Sequence, residues 1–171
     1  MKQIPDRLHQ AALRLFAEKG VTQVTVTDLA QAAGVARGTV YKHFETVESL
    51  FEQVATKLTN ELAARVLGAS SQANDPALRV ANGMRFFVRR AHEEPAWGRF
   101  LVRFGASTSM LRELLEGFPM REMKLGIDIG RFQLRPEQIT GAVGVISGSV
   151  LAAMSLVLEG LRKVTNNHVG L

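Results

Sequence analysis

Gly34 is the residue that most narrows what this chain can become. It separates two short helical patterns, Thr25 to Ala33 and Arg37 to His43, and leaves only Val35 and Ala36 to complete the connection. Thr25 followed three residues on by Asp28 is a capping-box-like pair, with Asp where Glu or Gln is usual, and it opens a helix that buries Val26, Leu29 and Ala30. The second helix places Val40 and Phe44 on one side and Thr39, Lys42 and His43 largely on others. Two short helices about one glycine turn make a helix-turn-helix unit.

The rest of the chain is organised in the same way. Glycine and proline punctuate it, and alternating apolar and polar runs of the strand type are missing, so the fold class is all-α. Leu8, Ala11, Ala12, Leu15 and Phe16 define a first helix from about Asp6 to Lys19, stopped by Gly20. A fourth helix starts near Thr46 and carries Leu50, Phe51, Val54, Leu58, Leu62 and Val66. Gly68 to Pro76 reads as a small, polar linker. Pro76 then opens a helix reaching His92, and Glu94-Pro95 starts another that carries Trp97, Phe100, Leu101 and Phe104. An irregular helical stretch from Met110 to Ile129 is expected to be interrupted at Gly117-Phe118-Pro119, and Pro136 opens a last helix to about Lys163. Residues 1–48 form the helix-turn-helix domain and 49–171 a second helical domain, with the fourth helix bridging them.

Thr25-Val26-Thr27-Asp28-Leu29-Ala30, then Ala33-Gly34-Val35-Ala36-Arg37-Gly38-Thr39-Val40-Tyr41-Lys42-His43-Phe44, closely resembles the DNA-binding signature of the TetR (tetracycline-repressor-like) family. The match runs over roughly residues 7 to 55. The resemblance implies a one-component regulator whose second short helix enters the major groove. The physics of the residues agrees. Ala36, Gly38 and Thr39 are small enough for close approach of the backbone. Arg37 can make a bidentate contact to a guanine edge, so Arg37 or Lys42 is expected to read sequence. Thr39, Tyr41 and His43 suit phosphates, as do Thr25 and Thr27 at a helix N-terminus. Tyr41 could instead be a core aromatic and Thr25 a cap alone. The family usually has a phosphate-pinning lysine at the start of the fourth helix, where this chain has Glu45-Thr46-Val47. That departure implies one backbone contact fewer per subunit and a shallower salt dependence.

Charge alone would not have led to DNA. Net charge is +5 and pI about 10.1, yet Lys2, Arg7, Arg14, Lys19, Arg37 and Lys42 stand against Asp6, Glu18, Asp28, Glu45 and Glu48 in the first fifty residues, a balance of only +1. The argument rests on where the bases sit. The chain has no cysteine and opens with charges and a proline, so no disulfide framework, thiolate site or secretion signal is expected and the cytoplasm is the default.

In the second domain Phe86, Phe87, Trp97, Phe100, Phe104, Phe118 and Met123, with Met84, Met110 and Met120 nearby, suit an adaptable cavity for a small apolar or amphipathic effector, against the simpler reading of core packing. Arg85, Arg89, Arg90, Arg99 and Arg103 stud the same helices. Most read as solvated, but one turned inward would select an anionic ligand. Gly141, Gly144, Gly148 and Ala152 form a small-residue stripe on the last helix, read as a homodimer interface. Relatives usually supply two helices per subunit to that interface and one is legible here, which leaves open a missing final helix and, with it, an interface that is incomplete or built differently. The uncharged run Ile139 to Leu158 is about 20 residues, long enough to span a membrane, but its serines and glycines and the lack of an aromatic belt argue against that. No HExxH, phosphate loop or triad-like spacing is present, so neither catalysis nor a cofactor or metal is expected; His92-Glu93-Glu94 reads as an exposed helix end. The expected function is a repressor released from a palindromic operator by an effector. The alternatives are a constitutive or architectural DNA-binding regulator and a membrane-tethered interaction protein.

Overall fold

A computed structural model describes residues 3–70 and 73–168. Its helices are α1 (Ile4–Lys19), α2 (Val26–Ala33), α3 (Arg37–His43), α4 (Val47–Ser70), α5 (Pro76–Glu93), α6 (Pro95–Phe104), α7 (Ser109–Asp128) and α8 (Pro136–His168), with a short 3₁₀ turn at Val21–Gln23. Among the described residues there is no strand. The side chain of Met110 and the residues Val169 to Leu171 lie outside the described residues. The chain divides into two compact units between Leu58 and Thr59, inside α4.

In unit 1, α1 buries Leu8, Ala11, Ala12 and Phe16, and Gly20 closes it at φ 86° with its N–H donating to the Phe16 carbonyl. Leu29 from α2, Val40 from α3, Phe44 and Leu50 complete the core. The Phe16 and Phe51 rings meet edge to face at 5.5 Å. At the start of α4 the Ser49 N–H donates to Thr46 Oγ1 at 3.0 Å and the Thr46 N–H to Ser49 Oγ at 3.3 Å, the reciprocal cap that Thr46-Val47-Glu48-Ser49 suggests.

Unit 2 is built on Trp97, Phe100, Leu101, Leu111, Val143 and Met154, all almost fully buried. α5 and α6 meet closely: a Cβ on Gly98 would lie 2.9 Å from the Ala91 Cβ. On α8, Val143, Ser147, Val150, Met154 and Leu158 face inward, while Gly141, Gly144, Val145, Gly148, Ala152 and Leu156 face outward. Val145 and Leu156 are each 70% exposed. Within Pro136–Gly160 an 18-residue window reaches a mean hydropathy of 2.0, enough by length and composition to cross a membrane, and 28% of that window is buried.

Two sequence expectations are corrected. α4 runs through Gly68 and on to Ser70, where a linker was expected. A glycine inside a helix costs only about 1 kcal/mol relative to alanine, and Leu62 and Val66, both buried, anchor the turns before it. α7 is likewise one helix through Gly117-Phe118-Pro119, not two pieces. Proline removes the N–H that would bond the carbonyl four residues back, here Leu115. Ser147 of α8 donates its hydroxyl to that carbonyl at 3.3 Å.

Candidate nucleic-acid interface

Local chemistry fixes the two short helices before any tertiary contact is considered. The Asp28 N–H donates to Thr25 Oγ1 at 3.1 Å, and the Thr25 N–H donates to Asp28 Oδ2 at 2.9 Å, so both halves of the capping box are present. Lys19 at the end of α1 holds the other Asp28 oxygen at 2.9 Å. The Lys19 ammonium, then the Thr25 hydroxyl and N–H, hold the Asp28 carboxyl at a pKa of about 2 against an ordinary 3.8.

The turn depends on glycine. Gly34 stands at φ 63°, ψ 45°, the left-handed region, and donates its N–H to the Gln31 carbonyl at 3.2 Å, while the Val35 N–H reaches the Ala30 carbonyl at 3.0 Å. Arg7, on α1, donates from Nη2 to the Gly34 carbonyl at 3.0 Å and so ties the first helix to the turn. Sequence reasoning missed Arg7, because 27 residues separate the partners and no local pattern marks the pair.

α3 is oriented by what it buries. Val40 is 2% exposed and Phe44 6%. Phe44 meets the edge of His9 at 5.5 Å, and His9 is itself held by an Nδ1–H donated to the Pro5 carbonyl at 2.7 Å. With that side locked, Arg37, Gly38, Tyr41, Lys42 and His43 are exposed and Thr39 is half-buried. Ala36 before the helix and Thr25 and Thr27 at the start of α2 are exposed too. None of the nine residues expected to touch DNA is in the core. Tyr41, at 55% exposure, is a surface aromatic. Among the described residues neither Arg37 nor Lys42 has an ion-pair partner, so both cations are available to an outside anion. A Cβ on Gly38 would meet nothing within 4 Å.

In unit 2 the expected effector residues are only partly gathered. Phe87 stacks on Trp97 at 6.1 Å with Phe86 edge-on to Phe87, and Phe100 pairs with Phe104 at 5.0 Å. Phe118 fills the space over Gly83, whereas Met123 packs separately with Val80 and Val143. A cavity of only about 20 Å³ lies beside Gly83, Met84 and Phe87. A groove of about 480 Å³ runs between the end of α4 and α7, lined by Thr59, Ala63, Val66, Leu67, Phe118 and Arg121 among others. Phe118 is the one expected effector residue it contains; the α4 residues gave no sequence signal because they read as the ordinary faces of a helix. The stripe of Gly141, Gly144, Gly148 and Ala152 is exposed, with open space beside the three glycines. Among the described residues no three or more His, Asp or Glu side chains converge as a metal site.

Comparison with known proteins follows the same division. Residues 8–54 match the model described as bacterial regulatory proteins, tetR family, and residues 75–169 match a tetracyclin repressor-like C-terminal domain. The HTH-type transcriptional repressor KstR2 of Mycolicibacterium smegmatis is 34% identical over 71 residues, 42% of this chain and 35% of that protein. The matched stretch thus spans less than half the length of such curated relatives, 45% for a regulator from Mycobacterium tuberculosis. A solved structure from Shewanella sp. PV-4, assigned to the tetR family, superposes with a TM-score of 0.79 at 22% identity, covering 98% of this chain and 92% of that one. RolR in complex with resorcinol superposes with a TM-score of 0.64 at 29% identity, covering 91% and 79%.

Proposed function

The chain belongs to the TetR family of bacterial regulatory proteins, and on that premise we propose that it is a cytoplasmic, DNA-binding repressor of transcription that acts as a homodimer and leaves a palindromic operator when a small, largely apolar effector binds. One observation carries the DNA half: α3 is locked by Val40 and Phe44 and turns Arg37, Tyr41, Lys42 and His43 to solvent with both cations unpaired. In this reading Arg37 or Lys42 reads base edges, and Thr25, Thr27, Thr39, Tyr41 and His43 hold phosphates. Ala36 and Gly38 let the backbone approach.

The dimer is supported by the outward stripe of Gly141, Gly144, Gly148 and Ala152, which lets a second copy of α8 come close. A two-fold dimer presents two α3 helices to successive major grooves, so the operator is an inverted repeat with half-site centres about 34–36 Å apart or somewhat more. Footprinting on genomic DNA, with the oligomeric state measured by sedimentation, tests this. A monomer that binds half-sites tightly would overturn it.

The effector reading draws on the aromatic set Phe86, Phe87, Trp97, Phe100, Phe104, Phe118 and Met123, and on RolR, whose structure with resorcinol shares the fold. One continuous helix, α4, carries residues of both units and gives the coupling a physical route. An effector lowers operator affinity only as far as it prefers the form that binds DNA poorly; a coupling of about 1–3 kcal/mol would weaken binding roughly 5- to 150-fold. The small size of the cavity beside Phe87, about 20 Å³, favours the second reading, a regulator bound to DNA without a ligand. Gel shifts with a panel of hydrophobic compounds decide between the two. A membrane-tethered protein is the third reading, and purification in quantity without detergent removes it.

A further inference from the structure

Of the six arginines on α5 and α6, Arg85, Arg89 and Arg103 are exposed, Arg99 is half-buried and Arg79, also half-buried, pairs with Glu122 at 2.7 Å, but Arg90 is turned inward and only 8% exposed. Its guanidinium lies over the Trp97 ring, 4.8 Å from the centroid. Among the described residues Arg90 Nε and Nη1 and the Trp97 indole Nε1 are all buried and have no hydrogen-bond partner. A guanidinium cannot relieve burial by losing its proton. Among the described residues its one ion-pair partner is Glu94, at the joint between α5 and α6, which stands off at 3.4 Å from both Nε and Nη2 and is itself half-exposed. That distance is long for a charge-assisted bond, which normally closes to about 2.7–2.9 Å. Buried donors of this kind are normally satisfied, and a group of three left open at one joint calls for an acceptor.

We infer that the α5–α6 joint is a carboxylate-binding site: Arg90 and the Trp97 indole N–H receive a ligand carboxylate in the place Glu94 now loosely holds, and the ligand's apolar tail runs along Phe87. Phe87 stacks on Trp97 and also lines the cavity beside Gly83 and Met84, which at about 20 Å³ is too small to enclose a tail, so the tail lies over Phe87 and has to part that packing as it enters. Glu94 is the resident stand-in; it swings into solvent when the ligand enters. This makes the effector an amphipathic acid, and it rests on the effector reading above for its regulatory meaning, though not for the binding event itself.

Trp97 is the only tryptophan in the sequence, so its emission reports the site directly. The protein is titrated with octanoate and benzoate, and in parallel with 1-octanol and benzamide. Saturable emission changes are expected from the acids, with the neutral analogues at least tenfold weaker. Arg90→Met should weaken the acids tenfold or more, and Glu94→Gln should tighten them several-fold by removing the competitor. Neutral analogues binding as well as the acids would overturn the inference. So would acid binding that Arg90→Met leaves unchanged while the melting temperature falls, which would make Arg90 a pin for the joint and nothing more. If Arg90→Met does not fold, Glu94→Gln decides alone, and no gain in affinity overturns it. Gel shifts on the footprinted operator separate the two readings. Acids that bind at Trp97 without releasing DNA leave the site standing and remove the effector reading, whereas neutral compounds that release DNA while acids do not bind do the reverse.

Discussion

Arg37 opens α3 with its side chain in solvent, and its neighbour Gly38 offers no side chain at all. The two residues call for different measurements. Arg37→Ala should cost about 1–3 kcal/mol of operator binding and relax discrimination at one base pair, whereas Tyr41→Phe or His43→Ala should weaken all sequences nearly alike. Equal loss on operator and random DNA would reassign Arg37 to the phosphates. Gly38→Ala separates folding from recognition. A methyl there meets nothing within 4 Å, so thermal stability should rise by up to about 1 kcal/mol, the helix-propensity difference. DNA affinity should fall if the backbone approaches the groove closely, and an affinity that holds would remove Gly38 from the interface. Asp28 adds a pH signature. Its carboxyl is held near pKa 2, against 3.8 when free, by Lys19 first and Thr25 second. A depressed acid stabilises fully above its unfolded value, so this contribution should be lost as pH falls from about 4 to about 2. Urea titrations followed by circular dichroism should show a shallower acid limb for Asp28→Asn; an unchanged limb would place the acid sensitivity elsewhere.

Among the elements, α7 carries the sharpest test. Ser147→Ala removes the hydroxyl that serves the Leu115 carbonyl, leaving a buried acceptor unmet at about 1–3 kcal/mol. Pro119→Ala restores the backbone N–H for the same carbonyl, so Ser147→Ala in that background should cost much less. Additive effects in the double-mutant cycle would break the proposed link. This pairing also marks where sequence reading stops. α2, the Gly34 turn and α3 were legible because their determinants are local: Thr25 and Asp28 lie three residues apart, and the turn needs one glycine at positive φ. α7 was misread because the partner that lets the helix pass Pro119 lies 32 residues away from Leu115. Gly68 misled in a similar way, since packing of the preceding turns outweighs one glycine. The inward turn of Arg90 was equally hidden, for the arginines of α5 and α6 look alike until burial distinguishes them. Of the aromatic residues expected around an effector, Phe87, Trp97, Phe100 and Phe118 are buried and Phe86 and Phe104 half-buried, and which of them touch depends on contacts between helices that no single stretch encodes.

For the whole molecule, the outward face of α8 bears on more than geometry. Val145 and Leu156 hold 70% of their surface in water beside three glycines that leave the backbone open. Covering such a face with a second copy would make stability a matter of mass action: every tenfold rise in protein concentration would add about 1.4 kcal/mol per mole of dimer. The melting temperature should therefore climb with concentration, and Gly148→Leu, which crowds the stripe, should flatten that slope while the isolated fold persists. A melting temperature independent of concentration over two decades, in a range where sedimentation finds monomer, would leave the face uncovered. In a cell, the same coupling turns abundance into a threshold. When few copies are present the protein would be scarce twice over, in number and in the fraction assembled, and repression would switch on more steeply than its copy number.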